Sequence, residues 1–540
     1  MMSKSPRPGM TAAVAAPDCF GASTAAEILA DGGNAVDAAV ATAFTLAVTY
    51  PEAGNLGGGG FATLHIDGEP YFLDFRGPAA ASAAADMYLD EAGNVIADAS
   101  TTGVGAATVP GTVAGLWELH RRFGRLPWRM DLGPAIRYAR RGFTVHALLH
   151  QVRDRRAAKL NGRTNFLAYF GNLESGDAFR QPELAATLER IATDGPRDFY
   201  QGQTADLCVA EMVRNDGRLT HADLARYRAV WRKPLRGEWA GYEVFTAPPP
   251  SAGGIALLSL LAMKSHLSEH FAGLALNSAQ YVHLLAEIEK RVFADRIAYL
   301  GDLDFIGAPV ERLLEASYLV RRASQISVDK VTPTDMVNPG LVEHHATTHF
   351  GILDSRGNAV SLTYTLNDFF GCGQVVTGAG FLLNNEMDDF SVKAGVPNEA
   401  GVVGGAANAI APVKQPLSTM SPTILTEEGR VAVVIGTPGG SRIATSIGQV
   451  LWNWRDFRLP LDAAVAEPRV HHQFFPPDTL FEEPYATIGA EERAELIARG
   501  YKLVQQAWNG DVQVIARDAS GVSAFSDPRG RGVARVLLMV

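Results

Sequence analysis

The chain changes character at one point, the run Ala346-Thr347-Thr348-His349-Phe350, and that change limits the folds open to it. Upstream, residues from about 110 to 330 follow mostly helical periodicity, clearest over Thr112 to Arg122, Gln203 to Arg214 and Ala279 to Tyr299. From His349 onward the period shortens to that of strands. Phe350 to Asp354 and Ala359 to Thr365 read as strands joined by the turn Asp354-Ser355-Arg356-Gly357-Asn358, and Arg430 to Ile435 reads as another. A helix is expected again over Ser441 to Trp454. Near the start, Met10 to Ala16 suits an opening strand. Thr24-Ala25-Ala26-Glu27 has capping-box spacing, and Gly32-Gly33 can end the helix that follows. Asn34 caps a second helix, with Val36, Val40, Phe44 and Ala47 as its buried stripe. The glycine-rich turn Gly54 to Gly60 leads into a strand over Phe61 to Ile66. Helices flanking a strand-rich centre imply layered packing, with sheets between helices and no separable domain.

The totals exclude several classes. A chain of 540 residues with 47% hydrophobic and 20% charged residues is composed like a soluble globular protein. Its net charge of −10 offers no basic footprint for nucleic acid or an acidic membrane. Three dispersed cysteines, Cys19, Cys208 and Cys372, make neither a disulfide framework nor a metal pattern, and reduced thiols in a cytoplasmic protein are expected. Lys4 and Arg7 precede an apolar run too short for a secretory signal, and no window is long enough to span a membrane. His344-His345 and His471-His472 are adjacent pairs that point apart on a strand, and neither glycine-rich loop is a phosphate-binding loop. No metal and no cofactor are expected.

The same junction carries the chemistry. A hydroxyl at Thr347 can attack the carbonyl of Ala346, converting the amide to an ester that water opens. The freed Thr347 then holds an α-amine of pKa about 8 beside its own hydroxyl, a nucleophile with a built-in base. Gly436-Thr437-Pro438-Gly439-Gly440-Ser441-Arg442 joins a strand to a helix and leaves backbone N–H groups open to an oxyanion. Asn384 to Phe390 gathers carboxylates suited to an ammonium group. Ser418 and Thr419 offer hydroxyls, and Arg76 a guanidinium, to a carboxylate. Each feature also has an ordinary reading: a β-branched strand residue, a tight turn, a solvated loop, a surface arginine.

Together these segments resemble the γ-glutamyltransferase (γ-glutamyl transpeptidase, glutathione hydrolase) family of N-terminal-nucleophile hydrolases. The likeness runs from Gly32 to Ala39 and Gly57 to Phe61 through Thr347-Thr348-His349, Thr363 to Asn367, Asn384 to Phe390, Pro416 to Pro422 and Pro438 to Arg442, ending at Ser526 to Arg529. It implies an α+β fold, a four-layer αββα sandwich, made as a precursor that cuts itself between Ala346 and Thr347. The products would be a large subunit of residues 1–346 and a small one of residues 347–540, partners within one fold. It further implies Thr347 as nucleophile, Thr365 as its orienting partner, and Gly439 and Gly440 as the oxyanion hole. For a γ-glutamyl head group, Arg76, Ser418 and Thr419 would hold the α-carboxylate, and Asn367, Glu386 and Asp389 the α-amino group. Residues 391 to 415 resemble a lid loop. Two departures touch the carboxylate end: Arg76 is followed by Gly77-Pro78 where the family usually has an acidic residue, and Thr419 stands where many members have serine. The expected activity is therefore cleavage of γ-glutamyl amides, with transfer to water or an amine. The alternatives are the same machinery on another small amide or acyl-amine, as in amidohydrolases and β-lactam acylases, or an uncleaved binding protein.

Overall fold

Two caps start the first pair of helices, and one lies away from the position its spacing implied. In the computed structural model, which describes residues 11–337, 346–393, 405–506 and 509–539, Asp18 caps helix Cys19–Ala30, its carboxylate accepting from Gly21 N at 2.6 Å. The box expected at Thr24 does not form. Thr24 is inside that helix, buried, with its hydroxyl 3.1 Å from Thr45 Oγ1 on the next helix. A hydroxyl three positions before an acid satisfies the local pattern, but a helix-to-helix hydrogen bond uses it better. At Asn34 the box is complete: Asn34 Oδ1 accepts from Val36 N and Asp37 N, and Asp37 accepts from Asn34 N at 2.8 Å. Helix Ala35–Thr49 is buried at every position, so the expected stripe is only part of its packing surface. A helix apolar all round belongs inside a layered fold.

Two antiparallel sheets form the centre. The larger has seven strands in the order Val533–Leu538, Thr11–Ala16, Ala346–Leu353, Ala359–Asn367, Gly59–Ile66, Glu69–Asp74, Val230–Arg232. The smaller has six: Gly521–Ser526, Gln513–Asp518, Arg430–Gly436, Thr423–Glu427, Tyr242–Thr246, Leu235–Trp239. Ala13, Ala15, Leu353 and Ala359 of the first sheet meet Ile424, Val431, Val434 and Ile515 of the second. Small residues let the layers approach closely: a Cβ on Gly351 would lie 3.1 Å from Val434 Cγ1. Helices Cys19–Ala30 and Ala35–Thr49 cover the outer face of the larger sheet. Gly253–His266 and Arg442–Arg455 cover the smaller, completing the αββα sandwich.

Strands from both sides of the Ala346–Thr347 bond enter each sheet. The helices Thr112–Phe123, Gln203–Arg214 and Ala279–Tyr299 match expectation. The same middle region also contributes the three strands between Val230 and Thr246, which its helical tone concealed. Among the described residues, no helix is long and apolar enough to cross a membrane.

Candidate active site

Strand Ala346–Leu353 and strand Ala359–Asn367 form a hairpin closed by the expected turn, in which Asp354 Oδ1 accepts from Arg356 N and Asn358 N. Its register sets Thr347 opposite Thr365 and His349 opposite Thr363. Period-two alternation turns Thr348 and Tyr364 to the helical layer, where Tyr364 donates to Ala43 O at 2.9 Å. Thr347 and His349 face the second sheet. Thr347 Oγ1 donates to Thr365 Oγ1 at 3.3 Å, and Thr365 Oγ1 also accepts from Asn367 N at 2.8 Å. A bulge falls between Thr365 and Asn367, whose φ of +79° is one an asparagine tolerates. The bulge aims Asn367 sideways, so that its Nδ2 donates to Asn385 O at 2.9 Å. The glycine turn before Phe61 packs here for lack of side chains: a Cβ on Gly58 would lie 2.0 Å from Thr365 O, and one on Gly57 2.0 Å from Leu382 O.

His349 is no base for this site. Its ring is fully buried, Nδ1 stands 2.8 Å from Thr363 Oγ1, and burial pushes the imidazole down to about 3. It serves as a spacer under the second sheet, where a Cβ on Gly436 would lie 2.4 Å from its Cε1. From Gly436 the chain runs through Thr437-Pro438-Gly439-Gly440-Ser441 into helix Arg442–Arg455. Gly439 and Gly440 have φ of +139° and +59°, both in the region that favours glycine. Thr437 Oγ1 donates to Pro438 O and accepts from Asp511 N, each at 2.8 Å, while Ser441 Oγ donates to Gln473 Oε1 at 2.8 Å. The turn is held from both ends, at the positive end of a helix.

Arg76 is not a surface arginine. It is 1% exposed; its Nη1 stands 3.1 Å from Glu386 Oε1 and its Nη2 donates to Asp389 Oδ2. Its backbone is aimed by Asp74, which accepts from Arg76 N at 2.9 Å, and by Tyr227 and Gln415, which donate to Arg76 O. Asp74 in turn pairs with Arg232 at 2.7 Å. The acid that orients Arg76 therefore precedes it in sequence. Gly77 has its own reason, since a Cβ there would lie 2.2 Å from Val109 O. That close passage brings Thr108 Oγ1 within 3.1 Å of Glu386 Oε2.

The carboxylates stand on a single 3-10 turn, Glu386–Asp389. Asn384 sets its start: its Oδ1 accepts from Glu386 N and Thr108 N, and its Nδ2 donates to Gly57 O. Burial, with Asp389 adding and Arg76 opposing, pushes Glu386 up to about 7. Asp388 is directed elsewhere, accepting from Ser100 Oγ at 2.6 Å. Ser418 and Thr419 are buried on the segment that Gln415 ties to Arg76, and Ser418 Oγ accepts from Met420 N at 3.2 Å. Thr419 O lies where a Cβ on Gly253 would meet it at 2.0 Å, so the segment is seated against helix Gly253–His266.

The structure thus brings Arg76, Glu386 and Asp389 into direct contact and joins Asn367 to them through Asn385. Thr347 and Thr365 share a hydrogen bond, and the Gly439-Gly440 turn leaves the strand that packs on His349. Thr108, Gln415 and Tyr227 were not foreseen; their roles come from long-range approach and leave no local pattern. Part of the lid-like stretch, residues 394–404, and the pair His344-His345 lie outside the described residues. His471 bonds Thr445 Oγ1 through Nδ1, and His472 Nδ1 accepts from Phe474 N. Asp37, His120 and Asp131 bring possible metal-ligand atoms within 4.8 Å of one another, away from Thr347. There Asp37 already accepts from the backbone N–H groups of Asn34, Arg125 and Leu126.

The family model described as gamma-glutamyltranspeptidase matches residues 21–537. A glutathione hydrolase proenzyme of Pseudomonas aeruginosa is 59% identical, across 97% of this chain and 94% of that protein. Among solved structures, a cephalosporin acylase from Bacillus halodurans superposes with a TM-score of 0.85 at 27% identity, covering 99% of this chain and 97% of that one. A gamma-glutamyltranspeptidase from Pseudomonas nitroreducens complexed with L-DON is 56% identical with a TM-score of 0.60, covering 60% of this chain and 97% of that one.

Proposed function

Because the chain belongs to the gamma-glutamyltranspeptidase family, we propose that it is a self-processing threonine hydrolase and acyltransferase that cleaves γ-glutamyl amides of the glutathione type. In the precursor, Thr347 Oγ1 attacks the carbonyl carbon of Ala346. The amide becomes an ester as the nitrogen leaves with a proton, and water opens the ester. Residues 1–346 end in a carboxylate and residues 347–540 begin with a free amine. In turnover that amine takes the proton of its own hydroxyl, Thr365 holds the oxygen in line, and Oγ1 attacks the γ-carbonyl carbon of the substrate. The oxyanion is received by the N–H groups of Gly439 and Gly440, where one such donor contributes about 3 to 4 kcal/mol. The proton passes to the departing amine, and water or an acceptor amine then resolves the acyl ester.

The observation that carries the reading is the buried contact of Arg76 with Glu386 and Asp389. Buried charges of opposite sign are costly to keep merely for stability. They suit a zwitterion that inserts between them, its carboxylate taking Arg76, Ser418 and Thr419, its ammonium taking Glu386, Asp389 and Asn367. Holding both ends of the head group presents one carbonyl to Thr347.

The likeness to a cephalosporin acylase favours a second reading, an acyl group without the α-amine. Intact mass and N-terminal sequencing of the purified protein should show a fragment beginning at Thr347. That sample should hydrolyse γ-glutamyl-p-nitroanilide in preference to glutaryl-p-nitroanilide. The reverse preference would move the assignment to the acylase reading, and a persistent full-length chain would end both.

A further inference from the structure

Three helices bring Asp37, His120 and Asp131 together, with one ligand-capable atom from each within 4.8 Å of the others. Asp37 belongs to helix Ala35–Thr49, His120 to Thr112–Phe123 and Asp131 to Trp128–Arg141. Asp131 is the member that packing leaves unexplained. It is 0% exposed, yet among the described residues neither of its carboxylate oxygens has a hydrogen-bond partner. His120 Nε2 stands 3.8 Å from its Oδ2, beyond hydrogen-bond reach. An ionised carboxylate taken out of water is costly unless it is paired or coordinates a cation. Both oxygens of Asp131 are open to such a partner.

The other two residues are held so that each keeps one position for a ligand bond. Asp37 accepts from Arg125 N and Leu126 N through Oδ1, and from Asn34 N through Oδ2. A carboxylate offers about four lone-pair sites, so one on Oδ2 remains. His120 is oriented by its neighbours: Trp117 stacks with its ring at 6.3 Å between centroids, and Trp128 meets it edge-on at 5.1 Å. A Cβ on Gly124 would lie 2.6 Å from His120 Cδ2, so the loop after the helix closes directly on the imidazole. That loop places Leu126 O 2.8 Å from Nε2. With the ring proton on Nδ1, the nitrogen and the carbonyl both present lone pairs, at a separation close to that of neighbouring ligands around one ion. The His120 side chain is 14% exposed, which gives an ion a way in from solvent.

We propose that Asp37, His120 and Asp131, with the carbonyl of Leu126, form a structural site for one divalent cation of the zinc or manganese class. An imidazole nitrogen among oxygens favours these ions over calcium and magnesium, which take oxygen shells. Two carboxylates match the two charges of the ion, so the cluster becomes neutral. The ion fastens three helices and the loop between two of them. None of these residues belongs to the Arg76 clamp or to the Thr347 hairpin, and the inference goes beyond the γ-glutamyl reading without resting on it.

The test uses the processed protein after dialysis against EDTA. Zinc or manganese, added separately, should bind at one equivalent. Either should raise the melting temperature by about 2 to 4 °C when present at 100-fold above its dissociation constant. Calcium and magnesium should bind at least about 10-fold more weakly. Asp131→Asn keeps the shape and removes the charge. In EDTA it should melt at or above wild type, because an unpaired buried carboxylate has gone. With zinc or manganese the order should reverse, as the affinity of the variant falls about 100-fold. Should Asp131→Asn fail to fold, His120→Phe keeps an aromatic ring against Trp117 and Trp128, removes the nitrogen, and should lose affinity to a similar degree. No saturable binding by wild type, or binding and melting gains equal in wild type and variant, overturns the inference. Neither result bears on the γ-glutamyl reading.

Discussion

Around Thr347 the site is neutral and made of regular structure; around Arg76 it is charged and made of loops. The first region is two paired strands, three threonine hydroxyls, a histidine kept uncharged by burial, and glycines. Nothing there needs an ionised side chain, because in the proposed mechanism the base appears only when the chain is cut. The second region buries a guanidinium and two carboxylates on a 3-10 turn and its neighbours. The bond-making groups of the proposed mechanism, placed on a hairpin, are held by backbone hydrogen bonds. Recognition placed on loops can vary in charge and spacing without disturbing them. The division explains how one sandwich resembles proteins described both as a glutathione hydrolase proenzyme and as a cephalosporin acylase.

The contrast is broken most directly at the proposed nucleophile. Thr347→Ala should leave a single full-length chain with no measurable turnover, read by intact mass; normal cutting in that variant would exclude the assigned junction. Next, Gly440→Ala should lower kcat by about 10²- to 10³-fold, with KM little changed, since it disturbs a proposed oxyanion donor and forces an alanine into φ of +59°. A large KM effect instead would place that turn in recognition. Third, Asp389→Ala should raise KM for γ-L-glutamyl-p-nitroanilide about 10- to 100-fold while the chain still cuts itself, the loss expected for a hydrogen bond to a charged group. Failure to process would show that the two regions are not separable.

The smallest effect is in pH. Burial holds Glu386 at about 7, so its carboxyl becomes neutral as pH falls through that value and loses its attraction for the ammonium group. KM for γ-glutamyl substrates should therefore rise on the acid side of about 7, and Glu386→Gln should flatten that limb. Linkage gives an independent check. A carboxyl raised above its ordinary 4.5 contributes stability below that value and loses it as pH rises through about 7. Glu386→Gln should thus gain in melting temperature relative to wild type above pH 7, and a relative loss there would contradict the assigned burial.

Much of the frame was legible locally. The box at Asn34, the bounds of Gln203–Arg214 and Ala279–Tyr299, and the hairpin that joins Phe350–Asp354 to Ala359–Thr365 all follow from caps, periodicity and turn chemistry; its extension back to Thr347, opposite Thr365, does not. The misplaced cap at Thr24 and the hidden strands between Val230 and Thr246 mark the limit of that reading. In both, a partner far along the chain, Thr45 or a sheet edge, outweighed local preference. Arg76 shows the limit for the site, because Asp74, Tyr227 and Gln415 converge on it from three segments.

What the sequence determined by itself is the set of chemical groups and their order: a threonine behind an alanine at a strand start, paired glycines before a helix, and charged residues of both signs elsewhere. Those are properties of neighbouring residues. Only the tertiary structure decided that Arg76 is buried against carboxylates some three hundred positions away, that Gly77 admits Thr108 to Glu386, and that Asp37, His120 and Asp131 meet from three helices. The physical reason is that burial and hydrogen-bond geometry belong to pairs of surfaces, and a linear chain does not specify which surfaces meet until its layers have packed.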